Sequence, residues 1–405
     1  MSSPPVQTIR PEGTTGEVFR AFLKLGLTSF GGPIAHLGYF RDELVTRRRW
    51  IDDAGYADLV ALCQFLPGPA SSQVGFALGL LRAGLPGALA AWSAFTLPSA
   101  MLLVLFAAAT RLAGGPLLTG AVHGLKLVAV AVVAQAVFGM ARSLAPDRQR
   151  AGIALGALLA AIFISGAIGQ LGAILAGAAA GLVLCRDQAH LPRAVGPTFP
   201  LPRRAGAACL ALFLVLLLVM PVLTAVTGAP ALSLFDAFYR AGALVFGGGH
   251  VVLPLLDEAM VGSGRVTAEA FVSGYGAAQA VPGPLFTFAA YLGAVSGSAP
   301  NGIAGAAIAL VAIFLPGLLL VAGALPFWNR LRDGRATPAA MRGANAAVVG
   351  ILAAALYDPV FTSAVGSTAD FALAATGFVL LTAWATPPFV VVLLGVAGGI
   401  AMTLA

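Results

Sequence analysis

The sequence predicts an all-α integral membrane protein: an inverted repeat of two six-segment units with broken or re-entrant helices, joined by one extra transmembrane helix. Three observations predict it. The 405 residues are 59% hydrophobic and only 10% charged, with a mean hydropathy of +0.93, whereas a soluble domain carries about 25% charged residues. The apolar runs are too long for strands and do not alternate, so helices are the spanning elements. The chain also says nearly the same thing twice. VFRAFLKLGLTSFGGP at 18–33 returns as LFDAFYRAGALVFGGG at 234–249, QFLPGP at 64–69 as QAVPGP at 279–284, and Leu97-Pro98 as Leu315-Pro316. The spacing is about 215 residues throughout.

In chain order the apolar segments are 17–46, 54–84, 87–112, 116–142, 150–165, 167–185, 205–227, 233–260, 268–297, 301–327, 337–359, 367–384 and 386–404. They divide as six, one and six. The domains expected are a first repeat at 15–186, a cytoplasmic linker at 187–204, a connecting helix at 205–230 and a second repeat at 231–405. A single span between two six-span units inverts the second relative to the first. The leading residues are polar and proline-bearing, so no signal peptide is expected. Fifty glycines suit helices that pack closely in lipid. Cys63, Cys185 and Cys209 lack paired spacing and read as small apolar side chains, with no metal site and no disulfide framework.

Arginine placement sets the orientation. Arg142, Arg148 and Arg150 mark one loop, Arg186, Arg193, Arg203 and Arg204 the linker, and Arg330, Arg332 and Arg335 a third. All fall on one face, which is therefore cytoplasmic, with the amino terminus inside and the carboxyl terminus outside. The net charge of +7 is read as these loops, not as a nucleic-acid surface. Arg47, Arg48 and Arg49 disagree if 17–46 crosses fully. Re-entrant hairpins turning at Gly31-Gly32 and at Pro67-Gly68-Pro69 return them to the cytoplasm. Half-segments of about 13 residues rise only about 20 Å, too short for a core of about 30 Å. Kinked full spans remain the alternative.

The breaks carry the chemistry. Phe30-Gly31-Gly32-Pro33 and Phe246-Gly247-Gly248-Gly249-His250 cannot comfortably continue a helix. Pro67-Gly68-Pro69 and Pro282-Gly283-Pro284, each three residues after Gln64 or Gln279, are stronger breaks. In hydrocarbon, freed backbone groups are tolerated only against protein, water or ligand. A restarted half-helix offers its positive end to an anion. Ser71, Ser72 and Gln73 follow one break and Thr287 its twin, adding hydroxyl and amide donors. A lone proline in a membrane helix is ordinarily a packing kink, and Pro98 and Pro316 are read so.

Intramembrane charges agree with an anion. Arg20 and Lys24 share a helix face; their repeat partners are Asp236 and Arg240. Lys126 follows His123 by one turn, and the matching positions are Asn345 and Arg342. Such groups are costly in lipid and usually functional. Blander readings stand beside these: snorkelling for Arg20, an internal ion pair for Asp236 with Arg240, and solvated ends for Asp42-Glu43 and Asp257-Glu258. For those carboxylates the sharper alternative is proton coupling. His36 and His250 follow the glycine breaks, and His250 has the chemistry to titrate near neutral pH.

Phe-Gly-Gly-Pro near the amino terminus, Gln-x-x-Pro-Gly-Pro some thirty residues later, and the repetition of both together resemble the chromate ion transporter family in its long, two-domain form. The resemblance covers nearly the whole chain. It implies a bacterial or archaeal inner-membrane protein that expels chromate, confers resistance, and links efflux to the proton gradient through opposed halves. The motif positions carry over as Gly31, Gly32, Pro33, Pro67, Gly68, Pro69, Gly247, Gly248, Pro282, Gly283 and Pro284. Gly249 stands where the first half has proline, and Asp236 where it has arginine, so the halves are not equivalent.

The expectation is a tetrahedral dianion, chromate or a sulfate-like oxyanion, held between the halves by backbone N–H groups after the breaks, with Lys24, Lys126 or Arg240 offsetting its charge. Protons and the lipid bilayer are the other partners, with a homodimer left open. Moving two negative charges out of a negative interior gains about 4.6 kcal/mol per 100 mV, so export is electrically downhill. The competitors are a carrier of another oxyanion, a membrane-embedded enzyme and a channel. No haem, flavin or nucleotide motif supports an enzyme, and no cofactor is expected.

Overall fold

The computed structural model describes residues 13–30, 32–112, 115–164, 167–185, 199, 201–245, 251–328 and 336–404. The first repeat comprises α1 (Thr15–Thr28), α2 (Gly32–Phe40), α3 (Asp53–Phe65), α4 (Ala70–Leu112), α5 (Pro116–Leu144), α6 (Arg148–Phe163) and α7 (Ala167–Leu184). Helix α8 (Arg203–Thr227) connects. The second comprises α9 (Pro230–Ala243), α10 (Val252–Asp257), α11 (Ala268–Ala280), α12 (Phe288–Val295), α13 (Gly302–Ala324), α14 (Ala336–Ala355), α15 (Thr368–Thr382) and α16 (Pro388–Leu404). Among the described residues there is no strand. The fold is all-α, and among the described residues five helices are long and apolar enough to cross a membrane.

Local chemistry starts these helices where the repeat demands. Asp52 caps α3 by accepting from the Gly55 amide, and Thr267 caps α11 by accepting from the Ala270 amide. Helix α2 widens into a π-type turn over Arg41–Arg47, and α10 does so over Glu258–Gly262. Segments 54–84 and 87–112 were expected to be separate. They are: α3 and the first part of α4 make up one, and α4 breaks sharply at Ala83 (φ −142°) and Gly84 (φ +66°) before its long run to Leu112. Pro98 and Pro316 sit inside continuous helices.

The first two segments fold back on themselves. The Trp50 indole donates to Glu17 at 3.1 Å, Arg82 pairs with Glu17 at 3.2 Å, and the Gly13 amide donates to the Arg82 carbonyl at 3.1 Å. Residues 13, 17, 50 and 82 thus meet at one end. The chain leaves each hairpin where it entered, so α1–α2 and α3 with the start of α4 are paired half-helices, not kinked crossings. The second repeat does the same. Arg265 donates to Ser233 Oγ at 2.9 Å, and the Gly297 amide donates to the Arg265 carbonyl at 2.8 Å.

The half-helices form the core. Phe22, Phe40, Phe95, Phe238, Phe271, Phe286, Phe288 and Phe314 are all fully buried around the breaks. Helix α8 packs on α9 and α13 but leaves Leu214, Val215, Leu218, Val222 and Val226 exposed. In lipid that surface needs no protein cover.

Candidate functional site

The proline–glycine–proline loops are built by rules that act within three residues. A residue before proline is pushed out of the helical region. Leu66 (φ −79°, ψ 148°) ends α3 and Val281 (φ −93°, ψ 144°) ends α11. The central glycines then take φ values of +117° at Gly68 and +102° at Gly283, which a side chain strongly disfavours. Pro69 leads into α4 and Pro284 into a short 3-10 turn before α12.

Each loop docks on the other repeat. The Gly68 amide donates to the Val245 carbonyl at 2.8 Å, just past α9. The Gly283 amide donates to the Ser29 carbonyl at 2.9 Å, just past α1. Ser29 and Val245 are repeat equivalents, as are Gly68 and Gly283. The exchange is reciprocal: each half's PGP loop closes on the residue two positions before the other half's glycine run. A second pair of contacts has the same symmetry. A Cβ on Gly68 would stand 2.9 Å from Gly317 Cα, and one on Gly283 would stand 2.6 Å from Ser99 Oγ. Gln73 pins the first dock, its Nε2 donating to the carbonyls of Pro67 at 2.9 Å and Gly317 at 3.0 Å.

Of the expected positions, Gly68, Pro69 and Gly283 touch the other repeat directly, Gly68 and Pro69 against Gly317 and Gly283 against Ser29 and Ser99, whereas Gln64 is exposed. Gly31, Gly247, Gly248, Gly249 and His250 lie outside the described residues. Ser71 and Ser72 are buried at the start of α4, as expected. Sequence reading named His36 but not Ser29, Thr96 or Ser99, and all four are buried. His36 Nδ1 faces Ser71 Oγ at 3.4 Å, and its ring meets the Phe95 ring edge-on at 5.4 Å. Ser29 Oγ, His36 Nε2, Ser72 Oγ, Thr96 Oγ1 and Gln279 Nε2 have no hydrogen-bond partner among the described residues. Buried polar atoms are ordinarily paired, so such a concentration calls for a ligand or water.

The cations lie elsewhere. Lys24 pairs with Glu43 at 2.7 Å, Arg240 with Asp236 at 2.6 Å, and Lys126 with Glu269 at 3.7 Å. Each expected counter-charge already has a carboxylate; in the first two pairs the carboxylate is the buried ion, and a buried ion without a partner is costly. Glu43 also accepts from Arg48 at 2.9 Å. Glu43→Gln should lower the thermal midpoint by a few degrees, for a loss of about 1 kcal/mol given the half-exposed partners. Fluorescence-detected size exclusion after heating measures it.

Two openings lie at opposite ends. One, of about 440 Å³, is lined by Thr14, Gly16, Glu17, Arg20 and Arg48. The other, of about 820 Å³, is lined by Thr110, His123, Lys126, Glu269, Ser273 and Asp370 among others. Arg82 joins Glu17 at the first, and Thr110 lines the second. The helix from Leu85 to Leu112 runs between them and is about 40 Å long, more than the hydrocarbon thickness. Around the first opening Arg20, Lys24, Arg47, Arg48 and Arg82 outnumber Glu17 and Glu43. In the second, His123 binds Asp370 at 2.6 Å and Lys126 faces Glu269, so no cationic excess remains.

Comparison with known proteins fits this architecture. The profile of the family described as chromate transporter matches residues 16–182 and 232–400, one stretch in each repeat. The chromate transport protein of Pseudomonas aeruginosa is 30% identical over 402 residues, 97% of this chain and 93% of that protein. The probable chromate transport protein of Synechococcus elongatus is 28% identical over 360 residues, 86% and 85% of the two chains. The chromate transport protein of Cupriavidus metallidurans is 27% identical over 356 residues, 85% and 82%. No solved structure matches. A multi-pass helical chain whose two halves both match one family of transport proteins, across nearly their full length, belongs to the chromate transporter family.

Proposed function

We propose that this protein exports chromate, a tetrahedral dianion, from the cytoplasm of a prokaryotic cell by secondary active transport linked to the proton gradient. The observation that carries the reading is the reciprocal docking of the PGP loops beside the glycine breaks, in a chain of this family. The loop amides of Gly68 and Gly283 are taken up by the dock itself, which leaves the unpartnered hydroxyls beside it to meet an anion between two halves that can rock against each other. The hairpins of the first repeat open at one end and those of the second at the other, which supports an inverted repeat. Lys24, Arg240 and Lys126 would act on the approach and exit paths.

The charge of the two openings supports the direction. The mouth at the end of α1 carries the cationic excess and would concentrate a dianion there. On the arginine-based orientation that mouth is cytoplasmic. The far mouth is balanced and releases the anion readily. Export of a dianion down the membrane potential, with protons returning, uses both components of the gradient.

The test is chromate accumulation in everted membrane vesicles, with and without a protonophore, and with sulfate and molybdate as competitors. Saturable, protonophore-sensitive uptake of unchanged Cr(VI) is expected. Accumulation of reduced chromium, or non-saturable flux, would overturn it. Arg20→Gln should slow initial uptake about threefold at low ionic strength and little at 0.15 M salt, where the Debye length is about 8 Å.

A further inference from the structure

The two repeats share a backbone plan but not a lining. At six positions that the repeat makes equivalent, the first half is polar or hydrogen-bonding and the second is not. Ser29 corresponds to Val245, His36 to Val252, Ser71 to Phe286, Gln73 to Phe288, Thr96 to Phe314 and Ser99 to Gly317. Burial does not explain the difference, since these side chains are buried in both halves. Nor does local satisfaction: among the described residues Ser29 Oγ, His36 Nε2 and Thr96 Oγ1 are without partners, against Gln279 Nε2 near the second PGP loop. Ser72 is the instructive case. Its repeat equivalent, Thr287, keeps a hydroxyl but donates it to the Pro284 carbonyl at 2.7 Å, while Ser72 Oγ has no partner among the described residues.

These groups cluster where α2 meets the two parts of α4. Ser71 faces His36, His36 packs on Phe95, and one turn along the same helix Ser99 Oγ donates to the Thr96 carbonyl at 3.1 Å. The Gly283 loop closes over the cluster, against Ser99 and the Phe95 carbonyl and bonded to Ser29. If Ser71 donates to His36 Nδ1, the imidazole keeps its proton on Nε2 as a donor, with the Ser29 backbone also near the ring.

We propose that the oxyanion is dehydrated and held by the first half alone, through Ser29, His36, Ser72 and Thr96, with the second half supplying an apolar wall and the Gly283 loop as its closing edge. The donors are neutral, so the site exchanges the anion's water shell for hydroxyl and imidazole hydrogen bonds without a fixed counter-charge that would hinder release. The substrate therefore stays with one half as the two halves move. This rests on the transport reading above, and deepens it by assigning the binding determinants to one repeat.

The experiment uses the intact purified protein. Thr96→Val and Ser72→Ala remove one donor each at nearly constant shape. Phe314→Leu alters the position equivalent to Thr96 in the second half. Two readouts are taken: apparent Km for chromate in proteoliposomes, and protection against thermal unfolding by chromate, sulfate and molybdate in detergent. Each first-half variant should raise Km about tenfold and weaken protection correspondingly, whereas Phe314→Leu should shift Km less than about twofold even if it lowers the unfolding temperature. Equal Km effects from the two halves, normal protection in both first-half variants, or no protection of the wild type by any oxyanion would overturn the proposal. If the wild type is protected by sulfate or molybdate but neither binds nor carries chromate, the substrate reading fails. Loss of that protection in Thr96→Val and Ser72→Ala then still upholds the one-sided site. Should one first-half variant not fold, the other decides.

Discussion

Gly68→Ala is expected to reduce transport at least tenfold, even in protein that reaches the membrane. Two costs add. The backbone at φ +117° lies in a region that a side chain disfavours by about 1–3 kcal/mol. The new methyl group would also stand 2.9 Å from Gly317 Cα, backbone that cannot rotate away. Relief of either cost moves the loop and breaks the 2.8 Å bond from Gly68 to Val245. A loss of about 1.4 kcal/mol in the populated docked state is already tenfold. Gly283→Ala should behave alike, with Ser99 as the obstacle, though a hydroxyl can swing aside and the defect should be milder. The measurement is chromate uptake in everted vesicles, normalised to the folded protein seen by size exclusion. Wild-type uptake by Gly68→Ala would mean that the docked loop is not part of the transport cycle.

Gly124→Ala is expected to fail earlier, in assembly. Gly124 lies where α5 crosses α16, and a Cβ there would overlap the Gly395 carbonyl and approach Val396 Cα at 2.9 Å. Transmembrane helices gain little from hydrophobic burial against one another, so close backbone approach through small residues carries the association. Forcing the pair apart would cost about 1–3 kcal/mol and shift His123 and Lys126, which flank Gly124 and line the larger opening. The thermal midpoint in detergent should fall by several degrees and expression should drop. Gly139→Ala on the same helix is the control, because nothing lies within 4 Å of its added methyl. There alanine should be neutral or slightly stabilising. Equal behaviour of the two variants would remove the seam as a determinant of the fold.

Sequence reading located the fold class and the PGP breaks for a simple reason. Proline and glycine act on their own residue and the one before, so Leu66, Gly68, Val281 and Gly283 take their conformations from neighbours visible in the string. The pairing of the half-helices was only half legible. Short length and the misplaced Arg47–Arg49 pointed to hairpins, but the bonds that close them, Trp50 to Glu17 and Arg265 to Ser233, join residues about 32 apart and carry no sequence mark. The charges were the least legible. Lys24 and Lys126 looked like counter-ions because each lies in an apolar run, and nothing local disclosed Glu43 or Glu269 as partners. The polar lining was available but under-read. Placing the repeats side by side exposes Ser29 against Val245 and Thr96 against Phe314, yet only the differences at Asp236 and Gly249 drew notice, because charge and proline are conspicuous and a hydroxyl is not.

The crossed amide bonds, Gly68 to Val245 and Gly283 to Ser29, have one more consequence. Because each ties one repeat to the other in the opposite sense, any displacement between the repeats loads both together. Neither bond is free to lengthen without straining its twin. On the transport reading proposed above, the two ends would therefore be geared to a single motion.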